Sequence, residues 1–373
     1  MKRTAKILQV IPALNQGGVE QGTLETSNYI VNQGWQSIVV SNGGKMVEKL
    51  VAEGSTHIKL PLHKRNPLHI FFNTFMLIKI INSEKPDIVH ARSRAPAWSA
   101  YFACKFTKTP FLTSFHGTHG TQNWFKIFYN RIMLKGIHVI ANSNFIKNHI
   151  IEIYKEPAER ITVVQRGFDQ TRFNPKTVNE KEIFQKYDTN KKTPIILMPG
   201  RFTRWKGQDT LLKALPLLKT QKYVVLLVGS SNKQSNYTNE LKELSENKNI
   251  AGRVIFCGTQ SELAPYYKAA TLTISASAKP EAFGRVAVES QAMSTPIIAT
   301  AHGGSLETVK DNETGWLIPP SDPKAMALTI DNALKNPKTL ASISKNAYNW
   351  AHAQFTIDKM CQGEFKIYED LLK

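Results

Sequence analysis

Short apolar runs alternate with longer amphipathic segments along this chain, and that alternation constrains its fold more than any other feature. Such a pattern is typical of β-α-β units, in which parallel strands are buried between helices. The runs form two series, separated by a polar stretch at about 170–193. The first series predicts strands at KILQVI (6–11), SIVV (37–40), DIVH (87–90), FLTSF (111–115), HVIAN (138–142) and ITVV (161–164). The second predicts strands at PIILMPG (194–200), YVVLLVG (223–229), RVIFCG (253–258), LTISAS (272–277), PIIAT (296–300) and GWLIP (315–319).

Two series of strands indicate two doubly wound α/β domains. The length of 373 residues agrees, since a chain of this size forms two domains of roughly 150–200 residues more readily than one. We predict helices at 19–33, 207–218 and 283–293 between the strands. Ligands of such sheets bind at the carboxyl ends of the strands, so the two Rossmann-like αβα domains are expected to face a shared cleft.

Composition narrows the class of protein further. Hydrophobic residues make up 42% and charged residues 21% of the chain, and no apolar run reaches 18 residues, so no transmembrane helix is predicted. The amino-terminal segment leads straight into a Gly-Gly turn, which indicates a first strand rather than a signal peptide. Three scattered cysteines favour a reducing cytoplasm over a disulfide framework or a zinc site. The net charge of +19 attracts anions such as nucleotides, nucleic acid or an acidic membrane.

Two glutamates provide the strongest chemical signal, in PEAFGRVAVESQAMSTPIIAT (280–300). Glu281 and Glu289 are eight residues apart, and on one helix they would be separated by about 800° of rotation. If Glu281 precedes the helix, both carboxylates can face one ligand at the helix amino terminus. The amides of Phe283 and Gly284 would form an anion site there. The spacing is also compatible with two ordinary solvated glutamates.

Cations follow the first strand of the second series, in GRFTRWKGQDTLLKAL (200–215). Arg201 and Lys206 suit a diphosphate whose negative charge grows as it leaves a sugar, although both could be surface cations. Gly17 and Gly18 follow the first strand of the chain and allow a phosphate to approach backbone N–H groups. The absence of G-x-G-x-x-G and Walker A patterns argues against a Rossmann dehydrogenase or an ATPase.

Histidines occur in SFHGTHG (114–120), at the end of a predicted strand. His116 could hydrogen-bond a sugar hydroxyl or line the acceptor side of the cleft, while a structural role is the alternative. His119 is the more generic of the two. The sequence contains no D-x-D, the manganese clamp of one glycosyltransferase fold. Arg and Lys would therefore replace the metal, and we expect no metal cofactor.

Taken together, these motifs resemble those of the retaining GT-B glycosyltransferases of family 4, the group 1 transferases, over nearly the whole chain. The elements that carry the resemblance are Gly17-Gly18, His116-Gly117, Arg201 with Lys206-Gly207, the E-x7-E element from Glu281 to Glu289, and the block AHGGSLETVKDNETGWLIPPSDPKAMA (301–327).

The resemblance implies roles for individual residues. Arg201 and Lys206 would hold the donor diphosphate, and Glu281 would contact hydroxyls of the transferred sugar. The Gly17-Gly18 turn would lie by the phosphates, with His116 by the sugar hydroxyls on the acceptor side.

On the donor domain, the resemblance places the Phe283 and Gly284 amides near the sugar or phosphate and Glu289 at the ribose hydroxyls. It divides the chain into an acceptor-side domain at 1–170 and a donor-binding domain at 171–356, with the last helix, 357–373, packing back on the first domain. It also implies retention of configuration. Since the first domain's cleft loops offer no obvious nucleophilic carboxylate, a front-face mechanism is expected rather than a double displacement.

One departure from the family pattern concerns the interdomain turn. VVQRGFD (163–169) has Arg166 where many relatives carry Asn. This variant resembles that of lipopolysaccharide-building bacterial members, which favours a glycan or lipid-linked acceptor.

Segments 64–81 and 123–135 mix aromatic residues with Lys and Arg, as in basic amphipathic helices. They predict peripheral docking on an anionic membrane, although the apolar residues of 64–81 could instead face the core.

In the stripe predicted for segment 123–135, Trp124, Phe128 and Ile132 share one helical face.

Two other functions remain open at this stage. A sugar-nucleotide epimerase of the same fold would need acid–base carboxylates in the first domain, whose loops are poor in them. A nucleic-acid-binding protein would suit the basic charge, but no RRM, OB or helix-turn-helix pattern is present. We therefore predict a nucleotide-sugar donor, no nucleic-acid partner and a cytoplasmic location, at the inner face of the membrane if docking occurs.

Overall fold

The computed structural model describes residues 4–15, 17–120, 123–230 and 236–373. The chain divides into two compact units. Unit 1 comprises Met1–Arg166 together with Ile357–Lys373, and unit 2 comprises Gly167–Thr356. The division therefore lies a few residues before the boundary at 170 that the sequence suggested.

In unit 1, seven strands form a parallel sheet in the order β3-β2-β1-β4-β5-β6-β7 within the described residues. The strands are β1 Lys6–Val10, β2 Gln36–Ser41, β3 Thr56–Lys59, β4 Ile88–Ala91, β5 Phe111–Phe115, β6 His138–Ala141 and β7 Ile161–Val163. The helices are α1 Gly18–Asn32, α2 Val47–Ala52, α3 Pro67–Glu84, α4 Arg94–Thr107, α5 Trp124–Asn130 and α6 Asn144–Tyr154, and α15 Ile357–Leu371 completes the unit.

In unit 2, six strands of the described chain form a second parallel sheet in the order β10-β9-β8-β11-β12-β13. The strands are β8 Ile195–Pro199, β9 Val224–Val228, β10 Val254–Gly258, β11 Leu272–Ser275, β12 Ile297–Thr300 and β13 Gly315–Ile318. The helices are α7 Lys181–Lys186, α8 Gln208–Ala214, α9 Asn236–Ser245, α10 Ala264–Ala269, α11 Arg285–Ala292, α12 Ser305–Thr308, α13 Pro323–Lys335 and α14 Pro337–Gln354.

The prediction of two doubly wound α/β domains is confirmed, and the errors are local. The sequence analysis missed β3, an edge strand whose side chains are at best half buried and which has no apolar run. The helix predicted at 283–293 begins at Arg285, because Gly284 adopts a left-handed conformation (φ 90°) as its N-cap. The helix predicted at 207–218 ends as an α-helix at Ala214, and a 3₁₀ turn containing Pro216 follows.

Helix α15 contributes to the core of unit 1. Its apolar face, which includes Met360, Cys361 and Tyr368, packs against the buried Ile7 and Leu112 of the sheet. A buried polar network reinforces this packing. The Arg92 guanidinium donates from two nitrogens to the two carboxylate oxygens of Glu364, and both side chains are essentially inaccessible (0% and 2% exposed).

Three further groups complete this network. Arg92 Nε donates to Gln9 Oε1, and the Thr26 hydroxyl donates to Glu364 Oε2 at 2.9 Å. His90, on the same strand end, hydrogen-bonds Tyr368 Oη at 2.7 Å and Ser114 Oγ at 2.6 Å. A buried ion pair is stable only when its remaining hydrogen-bonding capacity is satisfied. These partners therefore offset the cost of burying Arg92 and Glu364 away from water.

Among the helices that the structure describes, none is both long and apolar enough to span a bilayer.

Candidate functional site

The candidate site of unit 2 is built where the order of its sheet changes direction. Strands β8 and β11 are neighbours, although two strands separate them in sequence, so their following loops diverge to opposite sides. Ligands of open α/β sheets bind in the crevice that such a switch point creates. The loop 200–207 follows β8 and the loop 276–284 follows β11.

The two loops are joined through Trp205. Its backbone carbonyl accepts a hydrogen bond from the Ala278 N–H at 2.7 Å, and its indole Nε1 donates to the Lys279 carbonyl at 2.9 Å. The Lys206 Nζ lies 5.6 Å from the centre of the Trp205 ring. Trp205 thus fixes the position of Lys206 relative to the second loop.

An ion pair connects the two loops at the edge of the sheet. Lys206 Nζ lies 2.5 Å from Glu281 Oε1, and the Ser277 hydroxyl donates to the same oxygen at 2.5 Å. The Lys206 and Glu281 side chains retain 20% and 15% of their exposure, so both can still reach a ligand. The structure therefore brings together two residues that the sequence analysis had placed in one site.

Glycines allow the backbones of this site to approach closely. A Cβ on Gly207 (φ 70°) would lie 2.1 Å from the Ala276 carbonyl oxygen, and one on Gly304 would lie 2.4 Å from Phe283 Cα. Gly304 N–H also donates to the Glu281 carbonyl at 2.8 Å. Only glycine fits at these two positions, which gives the Gly-Gly of the 301–327 block a physical role: it supports the loop that carries Glu281.

Glu289 lies on α11 and is buried. Its Oε2 accepts a hydrogen bond from the Tyr267 hydroxyl at 3.1 Å, and its Oε1 lies 2.9 Å from Arg285 Nη2. Burial, together with the negative charge of Glu289, raises the pKa of Tyr267 well above its ordinary value, so the phenol remains a donor. Tyr267 and Arg285 therefore hold the Glu289 carboxylate in one orientation.

The other predicted residues of unit 2 differ in accessibility. The Phe283 ring is buried against Phe355 (ring centres 5.6 Å apart), so only the backbone of Phe283 is available to a ligand. Gly284 is the N-cap of α11. Arg201 is exposed, and its side chain has no ion-pair partner in the described part of the chain, whereas Arg204, three residues later, pairs with Glu240 at 2.5 Å.

Unit 1 has its own switch point, between β1 and β4. Gly17 is the N-cap of α1, and Gly18 is its first residue. The Gly18 carbonyl accepts a hydrogen bond from Arg166 Nη2, and a Cβ on Gly22 would lie 2.3 Å from that guanidinium. Arg166 is therefore buried beneath α1. The cation that distinguishes this turn from the family pattern is therefore not at the surface.

His116 follows β5 in the same unit. Both ring nitrogens are buried without a hydrogen-bond partner among the described residues. Burial, and then the charges of Arg166 and Arg92, lower the pKa of His116 well below its ordinary value. The ring is therefore neutral at physiological pH, and it can donate or accept one hydrogen bond but cannot serve as a cation.

The predicted residues thus fall into two groups, Gly17, Gly18 and His116 in unit 1 and the remainder in unit 2. Sequence reasoning missed Trp205, Ser277 and Tyr267. A signal existed for Trp205, which lies in the segment 200–215 already singled out, and for Ser277, which ends a predicted strand four residues before Glu281. Tyr267 had none, since it comes from a helix distant in sequence. Among the residues described, no three His, Cys, Asp or Glu side chains are grouped so that they could hold a metal ion.

Helices α3 and α5 expose a large apolar surface on unit 1. Leu68 and Phe71 of α3 are 82% and 78% exposed, and Trp124 and Phe128 of α5 are 65% and 60% exposed. The predicted stripe of segment 123–135 is only partly correct. The α-helix ends at Asn130, and Ile132 lies buried in the following 3₁₀ turn.

The comparisons with known proteins agree with this architecture. A family model described as "Glycosyltransferase Family 4" matches residues 16–172, and one described as "Glycosyl transferases group 1" matches residues 179–350. A glycosyltransferase crystal structure from Rickettsia africae ESF-5 is 39% identical, with a TM-score of 0.92 and 99% of each chain covered. The structure of Anabaena Alr3699/HepE in complex with UDP and glucose shares the fold, at 21% identity, a TM-score of 0.85, and coverage of 98% of this chain and 99% of that one.

A curated relative, the D-inositol 3-phosphate glycosyltransferase of Thermobispora bispora, is 31% identical over 246 residues. That match covers 63% of this chain but only 56% of the relative's length. The fold and the two family matches define a glycosyltransferase of the GT-B class. The chain belongs to glycosyltransferase family 4, the group 1 glycosyl transferases.

Proposed function

We propose that this protein transfers a sugar from a nucleotide-diphosphate sugar to a glycan or lipid-linked acceptor, with retention of configuration and without a metal ion. The observation that carries the proposal is the Lys206–Glu281 pair at the switch point of unit 2. A cation and a carboxylate that share one accessible edge suit a substrate that presents a diphosphate and a sugar next to each other.

Each residue has a role in this proposal. Lys206 and the exposed Arg201 bind the diphosphate and stabilise the charge that develops on it as the glycosidic bond breaks. Glu281, which already accepts two hydrogen bonds, binds hydroxyls of the transferred sugar, while the oriented Glu289 carboxylate binds the ribose. Gly17 and Gly18 leave room for the phosphates, and the neutral His116 ring hydrogen-bonds a sugar hydroxyl.

The composition of unit 1 supports a front-face mechanism. From Ile88 to Ile151 the sequence has eight Lys and Arg residues but no Asp or Glu. The loops after β4, β5 and β6 therefore carry no carboxylate that could attack the anomeric carbon, as a double displacement requires. In our proposal the leaving phosphate itself assists the incoming acceptor.

The surface of unit 1 supports an acceptor held at a membrane. Helices α3 and α5 both expose aromatic residues, and α5 belongs to the stretch from Ile88 to Ile151 that has eight cations and no acid, the combination that binds the interface of an anionic bilayer. This supports a lipid-linked acceptor of the lipopolysaccharide type and a location at the inner face of the cytoplasmic membrane. The curated relative named above for an inositol phosphate gives a precedent for a phosphorylated acceptor within the family.

The proposal is tested by incubating the protein with UDP-, GDP- and ADP-sugars, with and without EDTA, and following release of the nucleoside diphosphate. We expect turnover with one nucleotide class, unaffected by EDTA. No release from any donor would contradict the transfer reaction. Complete loss on chelation that manganese restores would contradict the role given to Lys206 and Arg201.

A further inference from the structure

A cavity of about 670 Å³ lies in unit 1. Its walls come from the segment before α3, from the first turn of α4 and from α5. The lining residues that matter here are Arg65, Arg94, Phe125, Lys126, Phe128 and Tyr129. Gly120, the last residue of the SFHGTHG segment, also lines the cavity, but none of the residues assigned to the donor site does.

Positive charges converge on this cavity. The described residues that line it include two arginines and a lysine but no carboxylate. Arg94 is anchored by a 2.7 Å hydrogen bond from Nη1 to Asn130 Oδ1. Burial lowers the pKa of Arg94, and the neighbouring charge of Arg65 lowers it further. Bringing two like charges together at a half-buried position is unfavourable, and a bound anion would relieve it.

A buried donor points to the same ligand. The Tyr129 hydroxyl is buried and has no hydrogen-bond partner in the described part of the structure. Burial raises the pKa of Tyr129, while the charges of Arg65 and Arg94 act on it in the opposite direction, which shows how near both lie. An unsatisfied buried hydroxyl is uncommon and destabilising, so its presence beside two arginines needs an explanation.

The rim of the cavity is apolar. Phe125 and Phe128 both line it and are 64% and 60% exposed. Arg65 lies only three residues before Leu68, the first of the exposed apolar residues of α3. A group bound by the arginines would therefore be attached to something that lies against aromatic and aliphatic side chains.

We propose that this cavity binds the phosphomonoester headgroup of a lipid. The two guanidinium groups and the Tyr129 hydroxyl donate to the three phosphate oxygens, while Phe125, Phe128 and Leu68 contact the glycerol and the first methylenes of the acyl chains. A phosphomonoester suits the site because it carries up to two negative charges and three acceptor oxygens on one small group. The inference extends the proposed membrane docking, but it does not depend on sugar transfer.

The test compares binding to phosphatidylcholine vesicles that contain either phosphatidic acid or phosphatidylglycerol, adjusted to equal surface charge. We expect the wild-type protein to bind the phosphatidic acid vesicles about tenfold more tightly, as charge-assisted hydrogen bonds to one headgroup would provide. Inorganic phosphate added at millimolar concentration should compete weakly. If it abolished the preference fully, the site would be one for free phosphate, and the lipid assignment would fall.

Three variants sharpen the experiment. Tyr129→Phe removes only the buried hydroxyl, and Arg65→Ala removes one cation; each should reduce the preference to about threefold or less. Lys105→Ala is the matched control, because it removes one exposed cation of unit 1 outside this cavity. It should weaken binding to both kinds of vesicle equally and leave their ratio unchanged.

Folding and donor chemistry are measured on the same variants. Since the Tyr129 hydroxyl has no partner in the described structure, Tyr129→Phe should melt at or above the wild-type temperature. Release of nucleoside diphosphate in the absence of lipid should be unchanged in all three variants. An equal affinity of the wild type for both vesicles, or a preference that survives both Tyr129→Phe and Arg65→Ala, would overturn the headgroup site, whatever the outcome of the donor assay.

Discussion

The Arg92–Glu364 ion pair of unit 1 and the Lys206–Glu281 ion pair of unit 2 have different surroundings. Arg92 and Glu364 of unit 1 are sealed from solvent, and Gln9 and Thr26 take up hydrogen-bonding capacity that the pair leaves. Lys206 and Glu281 of unit 2 remain 20% and 15% exposed. Both pairs join segments distant in sequence, yet only the second could give up its contact to bind a substrate.

The difference shows that an ion pair should be judged by what else its atoms contact. The Arg92–Glu364 pair connects α15 to the sheet and is closed off from solvent. Removing one member would leave a buried charge uncompensated. The Lys206 ammonium has one strong partner and access to solvent, so it can exchange a carboxylate for a phosphate at little cost. We therefore assign the first pair to architecture and the second to chemistry.

The largest predicted effect applies the same substitution to both pairs. Glu364→Gln leaves Arg92 buried without a countercharge, and we expect a loss of about 3–5 kcal/mol in the free energy of unfolding. Glu281→Gln should cost about 1 kcal/mol or less, since water can solvate the freed Lys206. Urea unfolding of the two variants beside the wild type measures both. Equal losses would show that the comparison of the two pairs is wrong.

A second prediction concerns the pH dependence of unit 1. Burial lowers the pKa of His90 and His116 well below the ordinary value and that of His119 to about 3. Below about pH 6.5 the unfolded chain therefore binds protons that the folded chain does not. Stability should fall with decreasing pH, by about 1.4 kcal/mol per pH unit for each such histidine.

His119→Gln provides the check on this prediction. For His119 the Arg94 and His149 charges add to the effect of burial. Between pH 5 and 6, removing this ring should reduce the slope of the free energy of unfolding against pH by about 1.4 kcal/mol per pH unit, the contribution of one proton. Thermal melts over that range measure the slope. A slope that is the same in wild type and variant would mean that His119 titrates normally in the folded protein.

The sequence was sufficient to predict the two sheets and most strand positions. Buried parallel strands such as FLTSF and VVLLV are continuous apolar runs, and these are visible without an alignment. The edge strand β3 was missed because only one side of it meets a neighbour, so its residues are not uniformly apolar. Pro216 and Gly284 explain the two misplaced helix ends.

The candidate site was predictable in part. Lys206 and Glu281 could be grouped because both follow strands of one sheet, and strand ends meet at one edge. Their direct contact could not be deduced, because it depends on Trp205 and on the close approach of Gly304 to Phe283. The burial of Arg166 under α1 was equally invisible, since it depends on the absence of a side chain at Gly22.

The measurement that tests the account most directly is the turnover of a sugar nucleotide by Glu281→Gln. The account predicts a fall in turnover of about a hundredfold or more, because a contact to the reacting sugar is lost, while affinity for the nucleoside diphosphate stays near that of the wild type. Lys206→Ala, assayed in parallel, should weaken nucleoside diphosphate binding and cost about 2–4 kcal/mol of transition-state stabilisation. Wild-type turnover in Glu281→Gln, with the fold intact, would contradict the assignment of this ion pair to the chemistry of the protein.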